Sequence, residues 1–253
     1  MEQKTIITNY QLQKVINEKL NIVNFNDYAP NGLQVEGASE VRRIVTGVTA
    51  SEALIDKAIE LNADTLLVHH GYFWKGENPI ITGMKKNRLA KLIKNDINLL
   101  AYHLPLDAHE EIGNNVQLAN RFGIEILGEI CPLVLHGKFD HPLSWQDLSE
   151  RIDNALERKP LHSGGNVAKL IQTVAWCTGG GQGFIEQAAE FGVDAFISGE
   201  VSEKTIHIAR EMGLHFFAAG HHATERYGIK ALGEWLEQNY SLEVIFVDID
   251  NPA

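Results

Sequence analysis

The chain has 253 residues, 44% of them hydrophobic, and a net charge of −11, enough apolar material for one large or two medium globular domains. That acidity excludes a broad nucleic-acid-binding surface, which would need Lys and Arg to displace phosphate counterions, and no apolar run is long enough to cross a bilayer. Residues 1–11 lack the apolar stretch and small-residue cleavage site of a secretory leader, so a cytoplasmic location is the default expectation.

Leu12, Val15, Ile16 and Leu20 recur at helical spacing and predict an amphipathic helix over residues 8–20, with Asn9 as the candidate cap. Residues 27–37 (DYAPNGLQVEG) are dense in turn formers and predict an irregular connection. Residues 43–48 then read as a buried strand, 52–61 as a helix and 64–68 as a second strand, a β-α-β unit. Cys131 and Cys177 stand far apart, outside any Cys-x-x-Cys spacing, and read as reduced thiols.

The same order returns in residues 173–177, 184–191 and 194–198. At a spacing of 130 residues Ile55 matches Ile185, Ala58 matches Ala188, Asp64 matches Asp194, and His70 falls opposite Glu200. Further on, His103-x-x-x-Asp107 and His221-x-x-x-Glu225 each follow a strand-like run, at a spacing of 118, the change being attributed to an insertion around residues 75–79. Shared apolar periodicity alone would say little, but paired histidine and carboxylate positions favour duplication over coincidence. The expected fold is α/β, with two related halves over residues 1–126 and 127–253 and a metal site at the strand C-terminal ends between them. The C-terminal segment is left room to pack back onto the first half.

His69 and His70 end a strand, where loops leave the ladder and sites form. Alone, such a pair is more often two partly buried, hydrogen-bonded histidines than ligands. His221 and Glu225 share one face of a starting helix, although a carboxylate there could equally serve only the helix dipole. Pro105 suits a first turn, which bends Asp107 inward. His69, His70, Asp107, His221 and Glu225 supply nitrogen and oxygen without thiolate, a set suited to Zn, Mn, Fe or Ni. Five ligands exceed what one open catalytic ion takes from protein, and two ions roughly 3.5–4 Å apart would use them all.

Residues 178–183, rich in glycine, read as a tight strand-to-helix turn in preference to an anion site, lacking a Walker ending. The loop from Gly71 to Gly76 could stack a nucleobase or attract phosphate, and reads equally as a packed aromatic loop or an oligomer contact. His109, His136, His141, His162, His207 and His215 have no comparable grouping and read as surface or core histidines. Glu200, opposite His70, is the candidate catalytic group, orienting a water or accepting its proton, with His103 in support of the ligands.

Through DYAPNGLQVEG, VTGVTAS, VHHGYFWKG, YHLPLDAH, GVDAFISGE and GHHATERYG, the chain resembles, over essentially its whole length, the Ngg-interacting-factor-three-like proteins. Bacterial members are often labelled GTP cyclohydrolase type 2 homologues. The resemblance implies two divalent metal ions per chain on His69, His70, Asp107, His221 and Glu225. It also implies a ring-shaped homohexamer and a nucleotide-like small-molecule substrate such as GTP. It departs at Gly199-Glu200 and Lys204, where many relatives carry Gly-Asp and a histidine four residues later. The function expected is dinuclear metal-dependent hydrolysis; the alternative is a non-catalytic metal-handling or scaffold protein linked to DNA damage protection.

Overall fold

The apolar runs read as strands form buried strands in the computed structural model, which describes residues 7–166 and 168–253. Residues 1–6, part of the stretch read for a leader, lie outside the described residues. In chain order the elements are β1 (Ile7–Thr8), α1 (Asn9–Lys19), β2 (Gly32–Val35), β3 (Glu40–Val41), β4 (Arg43–Thr49), α2 (Glu52–Glu60), β5 (Thr65–His70), α3 (Gly83–Lys94), β6 (Asn98–Ala101) and α4 (Leu104–Ala108). There follow α5 (Asn114–Phe122), β7 (Ile124–Cys131), β8 (Val134–Leu143), α6 (Trp145–Leu156), β9 (Leu161–Gly164), β10 (Ile171–Cys177), α7 (Ile185–Phe191), β11 (Ala195–Ser198), α8 (Glu203–Glu211), β12 (His215–Ala218), α9 (His221–Asn239) and β13 (Glu243–Phe246). Among the described residues no helix is long and apolar enough to cross a membrane.

The fold is mixed α/β in two units, one running to Gly113 and including Gly228–Asp250, the other holding Asn114–Tyr227 and Asn251–Ala253. The boundary thus precedes the expected residue 126, because Leu118, Ala119 and Phe122 of α5 are buried in one core with Trp176 and Ile197 of the second unit. In α9, Ala223 and Tyr227 belong to that core, while Ile229, Leu232 and Leu236 belong to a core of the first unit with Leu12, Ile44 and Leu100.

The first unit is built on a five-stranded sheet in the order β13-β4-β5-β6-β2, parallel except for β2. The second has a six-stranded sheet in the order β7-β8-β10-β11-β12-β9, parallel only through β10, β11 and β12. Strand alternation serves two cores in each unit. Val174 and Trp176 of β10 face one core and Ala175 and Cys177 the other.

The two halves are related by more than their periodicity. In each, three parallel strands joined by two helices end beside an antiparallel strand that precedes them in sequence, β2 in one and β9 in the other. Asp64 Oδ2 accepts from the backbone N–H of Arg42 and Arg43, both at 2.8 Å. Asp194 Oδ2 accepts from Gln172 and Thr173 in the same way, at 3.0 and 2.9 Å. Each aspartate thereby fastens the start of the first parallel strand to the start of the second. The strand register refines the alignment: Thr65 pairs with Asn98 and Ala195 with His215, so β6 and β12 match one residue closer than His103 and His221 do. Gly220, at φ 100°, is the additional residue before His221.

One helix cap differs from expectation. Thr8 caps α1, accepting from Gln11 N while Gln11 Oε1 accepts from Thr8 N. Asn9 is instead the first helical residue, buried, with its amide donating to Asn98 Oδ1 at 3.2 Å.

His162 and His215, which sequence spacing left ungrouped, are neighbours across the β9–β12 pair. His215 Nε2–H donates to Asn166 O at 3.2 Å, so its Nδ1 is the acceptor for His162 Nε2–H at 3.0 Å. Trp145 stacks on His162 at 4.4 Å and 9°. Burial and the neighbouring His215 lower the His162 pKa to about 4, and burial lowers that of His215. A histidine held neutral in the fold contributes stability that is fully present above the unfolded value near 6.5 and is lost as pH falls from there toward 4. Urea unfolding should therefore show stability dropping across that window, with a shallower drop in His162→Gln; equal slopes in the two proteins would remove His162 from the acid response.

Candidate metal centre

In the first unit β5 carries His69 and His70 at its carboxyl end, still in register with β4 through the Thr49–His70 pair. His69 is fully buried, and its Nδ1 lies 2.9 Å from the carbonyl of Tyr102. A carbonyl only accepts, so Nδ1 donates its N–H there, and Nε2 lies 3.4 Å from Asp107 Oδ1. Asp107 reaches that position because α4 is a short helix with Pro105 in its first turn, which needs no N–H there. His70 Nδ1 lies 3.1 Å from Thr49 Oγ1, which holds this ring too by the nitrogen nearer the backbone.

His103 receives the same treatment from a loop that the sequence marked only as irregular. Asp27 Oδ1 accepts from His103 Nδ1 at 2.9 Å and from Ala29 N at 3.1 Å, and Oδ2 accepts from Asn31 Nδ2 and Leu104 N. Asn31 Oδ1 accepts from His103 N at 2.8 Å. Burial opposes the charge on Asp27, but the bonds from His103 and Asn31 outweigh it and hold its pKa down at about 2. One ring nitrogen from each of His69, His70 and His103 lies within 4.8 Å of the others, a grouping able to hold a metal ion. His103, expected in support of the ligands, has a ring nitrogen in that grouping.

In the second unit α9 opens with His221, whose Nε2 lies 3.1 Å from Glu225 Oε2 one turn on, as the four-residue spacing predicts. Its Nδ1 lies 2.7 Å from Glu200 Oε1, and Glu200 Oε2 accepts from Gln182 Nε2 at 3.1 Å. Burial alone would lower the His221 pKa; hydrogen bonds and charge from Glu225 and then Glu200 raise it instead, to about 9. The glycine-rich turn has a steric use here: a Cβ at Gly179, φ 61°, would stand 2.0 Å from Glu225 Oε1. Only glycine leaves that carboxylate its place. Sequence reasoning gave Glu200 a supporting or proton-transfer part, and its carboxylate lies against the His221 ring.

Thus His69, His70, His103 and Asp107 are gathered in the first unit, and Glu200, His221 and Glu225 in the second. Asp27, Asn31 and Thr49 were missed. The available signal was the carboxylate and amides of DYAPNGLQVEG, a turn segment whose partner lies 76 residues away.

A family model described as Duf34/NIF3 (NGG1p interacting factor 3) matches residues 7–252. The chain belongs to the DUF34/NIF3 family. A curated relative from Escherichia coli K12, named GTP cyclohydrolase 1 type 2 homolog, is 62% identical over 97% of this chain and 99% of its own length. One of the same name from Vibrio cholerae is 59% identical over 98% and 100%. Among solved structures, the protein ybgI, titled as of unknown function, superposes with a TM-score of 0.95 at 62% identity, over 97% of this chain and all of that one. TTHA1606 from Thermus thermophilus gives 0.88 at 35% identity, again over 97% of this chain and all of that one.

If Glu200 orients His221, Glu200→Gln should weaken Zn²⁺ binding on the order of 10- to 100-fold, the usual cost of losing a partner behind a histidine ligand. Competition against a chromophoric chelator measures this, and unchanged affinity would leave Glu200 without that role.

Proposed function

We propose that this DUF34/NIF3 chain is a dinuclear divalent-metal-dependent hydrolase, working in the cytoplasm on a nucleotide-like small molecule. His69, His70 and Asp107 would serve one metal pair together with His221 and Glu225. The observation that carries the reading is the fastening of imidazole Nδ1 atoms. His69 donates its Nδ1–H to a backbone carbonyl and His103 to an ionised carboxylate, so Nε2 of each is the nitrogen that would serve a metal. Oriented imidazoles beside carboxylates suit a borderline divalent ion.

When bound, such an ion pair lowers the pKa of water toward neutrality and stabilises negative charge developing on the substrate. The chain's own residues supply the rest. Asp27 holds the ring of His103 in place, Glu200 does so for His221, and Gly179 leaves room for the Glu225 carboxylate. His103, absent from the five inferred ligands, would support them beside His69 and His70. GTP is the first substrate to try, given the name its relatives carry. Hydrolysis at the imidazole carbon of guanine would open the ring and release formate.

Elemental analysis of protein purified without chelator should approach two divalent ions per chain, and occupancy held at or below one under metal-replete conditions would sink the dinuclear reading. Asp107→Ala and Glu225→Ala should each sharply weaken binding. A screen of nucleotides on protein of measured metal content, with formate as one readout, tests the hydrolysis. Light scattering should give about six chains for the closed symmetric assembly we propose; a stable monomer at micromolar concentration would count against it.

A further inference from the structure

The connection after β5 is where the two halves differ most. In the second unit the chain passes from β11 to α8 through residues 199–202, whereas the first unit uses residues 71–82 for the same step. The additional residues are not slack. Tyr72 N donates to Gln34 Oε1 at 2.7 Å and Tyr72 OH to Ala50 O at 2.6 Å, which pins the start. Phe73 then takes φ 65°, a left-handed conformation that bulky side chains rarely adopt. Its own ring is exposed, so burial of Phe73 does not explain the strain. The bend instead aims the next residue: Lys75 N donates to Tyr28 O at 2.8 Å, and Trp74 comes to rest against the histidines.

Trp74 stands edge-on to His103, with centroids 5.0 Å apart at 84°, and its ring is 5.9 Å from that of His70. Tyr28 meets His103 in the same way at 4.9 Å and 74°, and inclines to Trp74 by 35° at 5.7 Å. Those two rings are too close to admit a third between them, but Tyr28 is 53% exposed and Trp74 half-buried beside the histidines. Large aromatic surface left open next to reactive groups is the kind of surface that takes a planar ring by stacking. Lys75, exposed and adjacent, supplies a cation for an anionic tail.

We propose that Tyr28 and Trp74 form a stacking platform for the planar heteroaromatic ring of the substrate, holding it against His70 and His103. The substrate class is then a heterocycle carrying an anionic group, with the ring the part recognised. This rests on reading the histidine cluster as the reacting centre, and binding can be measured apart from turnover.

The test is calorimetric titration of metal-loaded protein with guanosine, GTP and ribose 5-phosphate. Guanosine and GTP should bind, with ribose 5-phosphate at least about tenfold weaker. Trp74→Ala should weaken guanosine about tenfold or more with metal content unchanged, and Trp74→Phe should restore most of it. Tyr28→Ala should weaken guanosine as well, whereas Tyr28→Phe should not, and this pair carries the test if Trp74→Ala loses metal or fails to fold. Guanosine that fails to bind the fully metallated wild type, or binds equally after removal of both rings, would overturn the platform, as would ribose 5-phosphate binding as tightly as GTP. Ring-dependent binding without hydrolysis of any nucleotide screened would keep the platform and discard the hydrolase reading.

Discussion

An imidazole presents a defined lone pair only when its other nitrogen is held, and the candidate centre is organised around that constraint. For His69 the holder is the carbonyl of Tyr102, at the end of the neighbouring strand, so the sheet itself sets the tautomer. For His103 the holder is Asp27, which in turn is fastened by Ala29, Asn31 and Leu104. A buried carboxylate is ordinarily unfavourable to keep ionised; here several donors converge on it, and the charge persists to a pKa of about 2. The irregular segment before β2 is therefore as much a part of the centre as the strand ends are.

Duplication gave the two halves one scaffold, and side-chain replacement gave them different chemistry. The aspartates at 64 and 194 still make the same bonds to strand starts, which are structural and indifferent to the site. At the other end of the strands the paired positions have diverged. Thr49 beside His70 in one half corresponds to Gly179 beside Glu200 in the other, and the turn after β12 has gained Gly220. The first half has also acquired the long loop that delivers Trp74.

Much of the parallel-strand framework was legible because its strands are continuous apolar runs bounded by turn residues, as in Thr65–Val68 and Ala195–Ser198. His221 and Glu225 were legible as a pair because four-residue spacing on a helix is a local property. What escaped depends on contacts distant in sequence. The bond from Asp27 to His103 and the pairing of His162 with His215 arise from strand and loop placement, with no local spacing to announce them. The Thr8 cap was missed by one residue because Asn9 is also a good cap, and its competing bond to Asn98 lies far along the chain. The boundary at Gly113 depends on where α5 buries Leu118 and Phe122, a choice between two apolar cores that helical periodicity does not make.

The close approach at Gly179 bears on how this duplicated gene can still change. Two similar halves within one reading frame invite recombination and gene conversion, which tend to copy one half over the other. Copying the turn at Thr49 alone onto the second half would put threonine at position 179, where even its Cβ would stand 2.0 Å from the Glu225 carboxylate. Copying the Gly179 turn alone onto the first half would remove the hydroxyl that holds His70. Homogenisation is therefore damaging in both directions, and selection against it would keep the two halves drifting apart in sequence while their shared sheet framework persists.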